Sequence, residues 1–368
     1  MKVPAFTLDK AVTKLRPAIE ERWRSVLSNQ SFVGGAEVER FETEFSSFLG
    51  SAGCVGVANG TDALTIALRC LQLQPNDEVL VPSFTFIASA GAVVLAGGRP
   101  RFVDVSSGSL NLDLEGADAL LTAKTVGVIG VHLYGQPFDV DGVLDFCDRH
   151  GLWLIEDAAQ AHGAQWRGKR VGNFGRLATW SFYPSKNLGC FGDGGAITGN
   201  DPALLQRARS LANHGRIDHY HHREVGTNSR LDGLQAAVLS CRLQFLEADN
   251  ERRRRIASHY RTSLTGIPEM TLLDASPESS SVYHQFTLRT SRRDGLREAL
   301  EKSGIGSGVY YPMPLHLQPA FVEFAAGSQP LPESELASRD VLSLPMYPEL
   351  EDSEVDYVCA AVGEYFAG

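Results

Sequence analysis

The chain is expected to fold as an α/β protein whose mostly parallel sheet is covered on both faces, with a large domain over residues 1–250 and a smaller α+β domain over 251–368. Three features point there. Short runs rich in Val and Ile alternate with helix-length segments, and Gly, Pro, Ser or Thr punctuate the junctions. After Asn228 the apolar runs give way to a long charged helical stretch and Ser/Pro-rich loops. A length of 368 residues suits a large and a smaller domain sharing a sizeable core. An all-helical fold would leave the glycine-punctuated runs unexplained.

Taken in order, helical periodicity covers Val12 to Leu27 and then Ala36 to Leu49, where Phe41, Phe45 and Phe48 recur on one face. CVGVAN, from Cys54, reads as a strand, and Gly60, Thr61 and Asp62 open the helix ALTIALRCL. EVLVPS is a strand ending at Pro82, IASAGAVVLAG a helix closed by Gly97 and Gly98, and RPRFVDV the next strand. TVGVIGVHL, LWLIEDA and GGAITG add apolar runs, with a helix from Val140 to His150 between the first two.

Beyond Asn228, one long helical stretch runs from Leu231 through ERRRRIASHYRTSL. Its arginine run reads as a solvated face, with Ile256, Tyr260 and Leu264 turned inward. Gly266, Pro268 and the PESSS segment from Pro277 mark loops. HQFTLRT is a strand, RRDGLREALEKSGI a helix ending near Gly304, SGVYYP a strand ending before Pro312, and Glu351 to Tyr365 a final helix.

Composition narrows the function. A net charge of -10 disfavours non-specific nucleic-acid and anionic-membrane binding. It does not disfavour a small anion held by local donors. Cys54, Cys70, Cys147, Cys190, Cys241 and Cys359 are scattered singly, without metal-ligand spacing or a disulfide framework. No apolar signal core opens the sequence and no run of membrane-spanning length follows, so a cytoplasmic location is expected.

The chemistry is concentrated in LWLIEDAAQAHGA and TWSFYPSKNLGCFGDGGAI. Asp157 lies just past an apolar strand, where functional groups emerge from a parallel sheet. An acid there can keep a pyridine nitrogen protonated, or it can simply cap a turn. Gln160, three residues on, can share that site or sit at the surface as an ordinary amide. Lys186 stands in a Ser, Pro, Asn and Gly-rich loop, and a lysine amine can form a Schiff base with an aldehyde. Taken alone it is equally an ordinary surface lysine. Gly60 and Thr61 at a strand-to-helix turn, with Ser181, offer donors for a phosphate or merely cap the turn. Neither the GxxxxGK[ST] loop nor the GxGxxG fingerprint is present, so ATP and NAD are not called for.

VANGTDALTIAL, VPSFTFIASAGAV, HLYGQPFDVD, IEDAAQAHGA, SFYPSKNLGCFGDGGAI, LANHG and VGTNSRLDGLQAAVL together resemble the DegT/DnrJ/EryC1/StrS family of sugar aminotransferases. The likeness runs from about Asn59 to Arg255 and resumes at VYYPMPLHLQPAF. It implies fold type I of the pyridoxal 5'-phosphate (PLP) enzymes, a homodimer with shared sites, and amino transfer from L-glutamate to a TDP- or UDP-linked keto sugar. By the same resemblance, Lys186 is the Schiff-base lysine and proton carrier, Asp157 faces the pyridine nitrogen, and Gln160 sits near the ring hydroxyl. Phe86, otherwise a core aromatic, covers a ring face. Gly60, Thr61 and Ser181 hold the phosphate with Asn228, otherwise a turn residue, from the partner subunit. Arg230, Tyr310, Tyr311 and His316 approach the sugar nucleotide, although many relatives have His-Tyr where this chain has Tyr310 and Tyr311.

The YYPMPLH segment most resembles relatives that aminate C3, with C4 amination as the alternative. A related PLP dehydratase is disfavoured, because those relatives carry His in place of the lysine. The competing reading of another kind is a non-catalytic PLP-binding regulatory protein.

Overall fold

The chain opens with two helices, α1 (Asp9–Asn29) and α2 (Ala36–Leu49). The Phe spacing read from the sequence places Phe41 and Phe45 on the buried side of α2, whereas Phe48 is only partly buried. Their rings meet Phe182 and Trp180 edge-on at 5.2 Å in each case and so fasten α2 to the strand that leads into the lysine loop. In the computed structural model, residues 1–325 and 329–367 are described.

The large domain then alternates as expected. Strand β1 (Gly53–Val57) feeds α3 (Gly60–Cys70), β2 (Glu78–Pro82) feeds α4 (Ala88–Leu95), and β3 (Arg99–Val103) follows. Next come β4 (Thr125–Val131), α5 (Val140–His150), β5 (Trp153–Asp157), the short hairpin β6 (Gln165–Trp166) and β7 (Lys169–Arg170), β8 (Leu177–Ser181) and β9 (Gly195–Gly199). Seven of these strands form one sheet in the order β1-β9-β8-β5-β4-β2-β3. Pairings among β8, β5, β4, β2 and β3 are parallel, and β9 alone runs against its neighbours β1 and β8. Val79, Val81, Ile129 and Ile155 are fully buried on these strands, the pattern of a sheet covered on both faces.

Helix α6 (Pro202–Ala212) is followed by α7 (Gly233–Leu243) and α8 (Leu246–Leu264). The single helix expected from Leu231 onward is therefore two, with the break at Gln244 and Phe245. Helix α8 itself runs unbroken across residues 250 and 251. Ile256, Tyr260 and Leu264 are buried as expected, but the arginine run is not uniformly solvated. Arg253 is 3% exposed and donates to the carbonyls of Tyr283 at 3.2 Å and Met346 at 3.0 Å. Both bonds use Nη1 and replace part of what water would otherwise provide, while Nε is buried without a hydrogen-bond partner among the described residues.

The C-terminal part contains β10 (Thr271–Leu272), β11 (Ser279–Ser280), β12 (Phe286–Arg289), α9 (Arg293–Lys302), α10 (Val322–Ala325), α11 (Pro332–Asp340), β13 (Val341–Leu344) and α12 (Asp352–Ala367). Strands β10, β12 and β13 form a small antiparallel sheet, while β11 joins the β6–β7 hairpin. SGVYYP does not form the expected strand. It touches the sheet only where Gly308 and Ser343 exchange backbone bonds, and the chain then turns toward the large domain. The N-terminus joins this smaller unit, since Val3 bridges Ile305 and is buried among its apolar residues.

Candidate active site

The carboxyl ends of β5 and β8 carry the central groups. Register pairs Val131 with Asp157, Asp157 with Thr179, and Ser181 with Gly195, so Asp157 and Ser181 emerge from the same edge of the sheet. Lys186 lies in the loop between β8 and β9. Its N–H bonds the carbonyl of Tyr183 at 2.8 Å, which closes a tight turn beneath the side chain. The next residue locks the loop in place: Asn187 donates to Asn250 Oδ1 at 3.0 Å and to the carbonyl of Val282 at 2.9 Å.

Burial brings the Lys186 amine down to about 8, while the negative charge of Asp157 pulls it the other way. The Asp157 carboxyl is in turn raised above the usual carboxylate range by burial, against hydrogen bonds from Ser89 and Ala159 and the charge of Lys186. Ser89 Oγ donates to Oδ2 at 2.8 Å, and the Ala159 N–H donates to Oδ1 at 3.2 Å. The lysine and the acid therefore act on one another at the mouth of the sheet. Such a pair of shifted groups is characteristic of a reactive centre.

Directly behind Asp157, Glu156 points to the other face of β5 and is fully buried. It accepts the N–H groups of Gly172 at 2.6 Å, Phe174 at 2.7 Å and Gly175 at 2.8 Å, and pairs with His132 Nε2 at 3.1 Å. Burial opposes its ionisation, but His132 and the backbone donors bring its pKa below the ordinary value. His132 also donates its backbone N–H to the carbonyl of Asp157 at 3.1 Å and so braces the strand end. His162, fully buried near the rings of Phe45, Trp180 and Phe182, is lowered to about 3 by burial and by Lys186. It stays neutral at ordinary pH.

Gly60 begins α3, whose N-cap Asn59 accepts the N–H of Asp62 at 2.8 Å. A Cβ at Gly60 would lie 2.8 Å from Ser181 Cβ, so the helix start and the end of β8 approach too closely for any other residue. The first N–H groups of α3 have no partners within the helix, and the Ser181 hydroxyl lies beside them, an arrangement suited to an anion. Gln160 is buried between Tyr134, whose N–H donates to Oε1 at 2.7 Å, and Tyr311, whose hydroxyl accepts from Nε2 at 3.1 Å. Phe86 is 52% exposed, with its ring 6.1 Å from that of Tyr311.

The fold thus gathers Lys186, Asp157, Gln160, Gly60, Ser181, Phe86 and Tyr311 around one strand edge, with Thr61 in the first turn of α3. His316 is held to one side of this group, its Nδ1 2.6 Å from Ser83 Oγ and its Nε2 3.5 Å from Glu335. Tyr310 meets the large domain through its carbonyl, which accepts the Tyr134 hydroxyl. Asn228 and Arg230 are exposed, and Arg230 bonds Asn213 at 3.3 Å. Sequence reasoning missed Ser89, Tyr134 and Glu156. Only Glu156 carried a visible signal, as an acid inside an otherwise apolar strand. A cavity of about 510 Å3 bordered by Trp166, Arg167 and Asp274 shares no residue with this centre.

A buried amine beside a buried acid, and a helix start with free N–H groups next to a hydroxyl, suit a cofactor that carries an aldehyde, a ring nitrogen and a phosphate, such as PLP. With the mixed sheet and the smaller C-terminal domain, they define a PLP-dependent enzyme of fold type I. The profile of the DegT/DnrJ/EryC1/StrS aminotransferase family matches residues 14–363, and the chain belongs to that family. It is 44% identical to the dTDP-3-amino-3,4,6-trideoxy-alpha-D-glucose transaminase of Streptomyces venezuelae, over 99% of this chain and 96% of that one. It is 42% identical to the UDP-N-acetyl-3-dehydro-alpha-D-glucosamine 3-aminotransferase of Acidithiobacillus ferrooxidans, over 98% and 97% respectively. The crystal structure of S. venezuelae DesV in complex with a ketimine intermediate superposes with a TM-score of 0.96 at 44% identity, covering 100% of this chain and 99% of that one. NtdA from Bacillus subtilis with bound cofactor PMP gives 0.93 at 30% identity, covering 100% and 86%. The protein is a PLP-dependent aminotransferase. Among the described residues, no helix is long and apolar enough to cross a membrane.

Proposed function

We propose that this enzyme transfers the amino group of L-glutamate to the C3 keto carbon of a nucleotide-linked deoxy sugar. The observation that carries the reading is the Lys186–Asp157 arrangement, an amine brought to about 8 by burial beside a buried acid at the strand ends. Bound PLP supplies an electron sink for charge developing on the carbon that bears the migrating amine. Asp157 holds a proton at the ring nitrogen. Lys186 anchors the cofactor and, once released, Nζ takes up and returns the proton at the substrate carbon. Gly60, Thr61 and Ser181 hold the phosphate, Phe86 covers one face of the ring, and Gln160 faces its oxygen.

In this reading the enzyme works as a homodimer, with Asn228 reaching the phosphate of the partner subunit. The exposure of Phe86 and Tyr183, two aromatic residues next to the centre, supports a second copy covering this edge. Arg230, Tyr310 and His316 lie toward the sugar nucleotide. The choice of C3 is supported by the names of the S. venezuelae and A. ferrooxidans relatives, one a dTDP-3-amino sugar transaminase and the other a UDP-sugar 3-aminotransferase.

The test is to incubate purified enzyme with L-glutamate and a panel of 3-keto and 4-keto deoxy sugars, each in TDP and UDP forms. Amination at C3 with formation of 2-oxoglutarate is expected. Amination only at C4 contradicts the position, and failure of glutamate to change the visible cofactor spectrum contradicts the donor.

A further inference from the structure

The side-chain amide of Gln160 has only one chemically consistent orientation. The Tyr134 backbone N–H can only donate, so the group 2.7 Å away must be the amide oxygen. That choice turns Nε2 toward the Tyr311 hydroxyl at 3.1 Å. One N–H of the amide is thereby engaged, and the second remains available to a neighbour.

Both partners are themselves constrained. Tyr134 sits in the left-handed region at φ 58° and ψ 9°, a conformation disfavoured for a residue with a Cβ and one that aims its N–H at Gln160. Its carbonyl accepts the N–H of Gln285 at 3.3 Å, and its hydroxyl donates to the carbonyl of Tyr310. The Tyr311 ring lies 6.2 Å from that of Phe84 and 6.1 Å from that of Phe86. Burial raises the Tyr311 phenol above its ordinary value, with Asp157 adding to the effect and the Gln160 hydrogen bond opposing it, so the hydroxyl stays protonated across the working pH range.

We propose that Tyr311, together with the left-handed backbone of Tyr134, is a positioning residue that fixes the Gln160 amide toward the cofactor ring. In this role Tyr311 serves the cofactor side of the site, beyond the approach to the sugar that the family resemblance implies. Through it, the connection between β12 and β13 of the small C-terminal sheet sets the orientation of an amide in the large domain. The inference rests on the reading of Gln160 as the partner of the ring oxygen.

A donor at that oxygen stabilises its negative charge, so loosening the donor raises the pH midpoint of the cofactor's visible absorbance in the resting holoenzyme. The experiment titrates that absorbance without amino donor in the wild type, Tyr311→Phe, Gln160→Leu and the double variant. Phe keeps the ring packing and removes only the hydroxyl. Gln160→Leu is expected to raise the midpoint by about one pH unit and Tyr311→Phe by roughly half as much. The double variant is expected to match Gln160→Leu, because Tyr311 acts through Gln160. An unmoved midpoint in Tyr311→Phe, or a double variant equal to the sum of the two singles, overturns the proposal. Failure of the underlying reading is distinct: Gln160→Leu would leave the midpoint at the wild-type value.

Discussion

The hydroxyl of Ser89, in the first turn of α4, lies 2.8 Å from Asp157 Oδ2 and is its side-chain donor. The contact joins the start of α4 to the end of β5 and opposes the upward shift that burial imposes on the Asp157 carboxyl. Ser89→Ala leaves that oxygen without its donor, a loss of about 1–3 kcal/mol for a buried group. The acid limb of the pH–rate profile is expected to move to higher pH and the rate near neutrality to fall roughly tenfold. An unmoved profile would show that the hydroxyl does not tune Asp157.

In its proposed role at the ring nitrogen, Asp157 is expected to set a trade-off between stability and activity. Its folded pKa is raised, so its contribution to stability is present at low pH and is lost as pH rises through that raised value. Asp157→Asn removes the charge that burial opposes. The apoenzyme variant is expected to melt at or above the wild-type temperature at pH 8, while aminotransferase activity falls by about 100-fold or more, roughly 2.7 kcal/mol of barrier. Calorimetry of the apoenzyme alongside steady-state rates checks both halves.

The shifted amine has a kinetic signature of its own. Only neutral Lys186 is nucleophilic, and its pKa is brought down to about 8. The rate of covalent PLP attachment to apoenzyme is expected to rise about tenfold per unit below that pH and level off above it, so that pH 6 is roughly 100-fold slower than the plateau. Stopped-flow absorbance across pH measures this directly. Continued acceleration up to pH 10 would show an ordinary lysine.

Much of the site was legible because its chemistry sits where local patterns change. Asp157 ends an apolar strand, Gly60 opens a helix, and Lys186 occupies a loop too rich in Ser, Pro and Gly to be helical. The strands of the large sheet were legible for the same reason, since burial on both faces demands continuous Val and Ile. What escaped depends on contacts distant in sequence. Ser89 looks like a small helix residue until β5 is placed beside it, and Tyr134 gives no hint of its left-handed backbone. SGVYYP has strand composition, but the chain leaves the sheet after Gly308 so that Tyr310 and Tyr311 can meet Tyr134 and Gln160. Arg253 reads as solvated in an arginine run until the carbonyls of Tyr283 and Met346 close over it.

The proposed anion cradle depends on a missing side chain. With only 2.8 Å between a Cβ at Gly60 and that of Ser181, Gly60→Ala must displace the start of α3. PLP affinity is expected to weaken by at least about tenfold, equivalent to 1.4 kcal/mol. Gly60→Ala combined with Ser181→Gly relieves the contact and is expected to restore the helix position without the hydroxyl. Equilibrium titration of apoenzyme with PLP distinguishes the variants, and unchanged affinity in Gly60→Ala would place the phosphate elsewhere.

The lysine loop is also supported from behind. Phe45 is fully buried, with ring centroids 5.2 Å from Trp180 and 5.5 Å from Phe182. Phe45→Ala is expected to cost about 3–5 kcal/mol by leaving a cavity under β8. Denaturant unfolding of the holoenzyme reads the loss, and a change below about 1 kcal/mol would mean that the neighbouring rings close the gap.

In the proposed reaction Lys186 carries the cofactor and releases it to an amino donor. Borohydride reduction of the holoenzyme, followed by peptide mass spectrometry, tests it most directly. The pyridoxyl group is expected on Lys186 alone, and incubation with L-glutamate before reduction is expected to abolish the labelling. A label on another lysine, or labelling of Lys186 that survives glutamate, would contradict the claim.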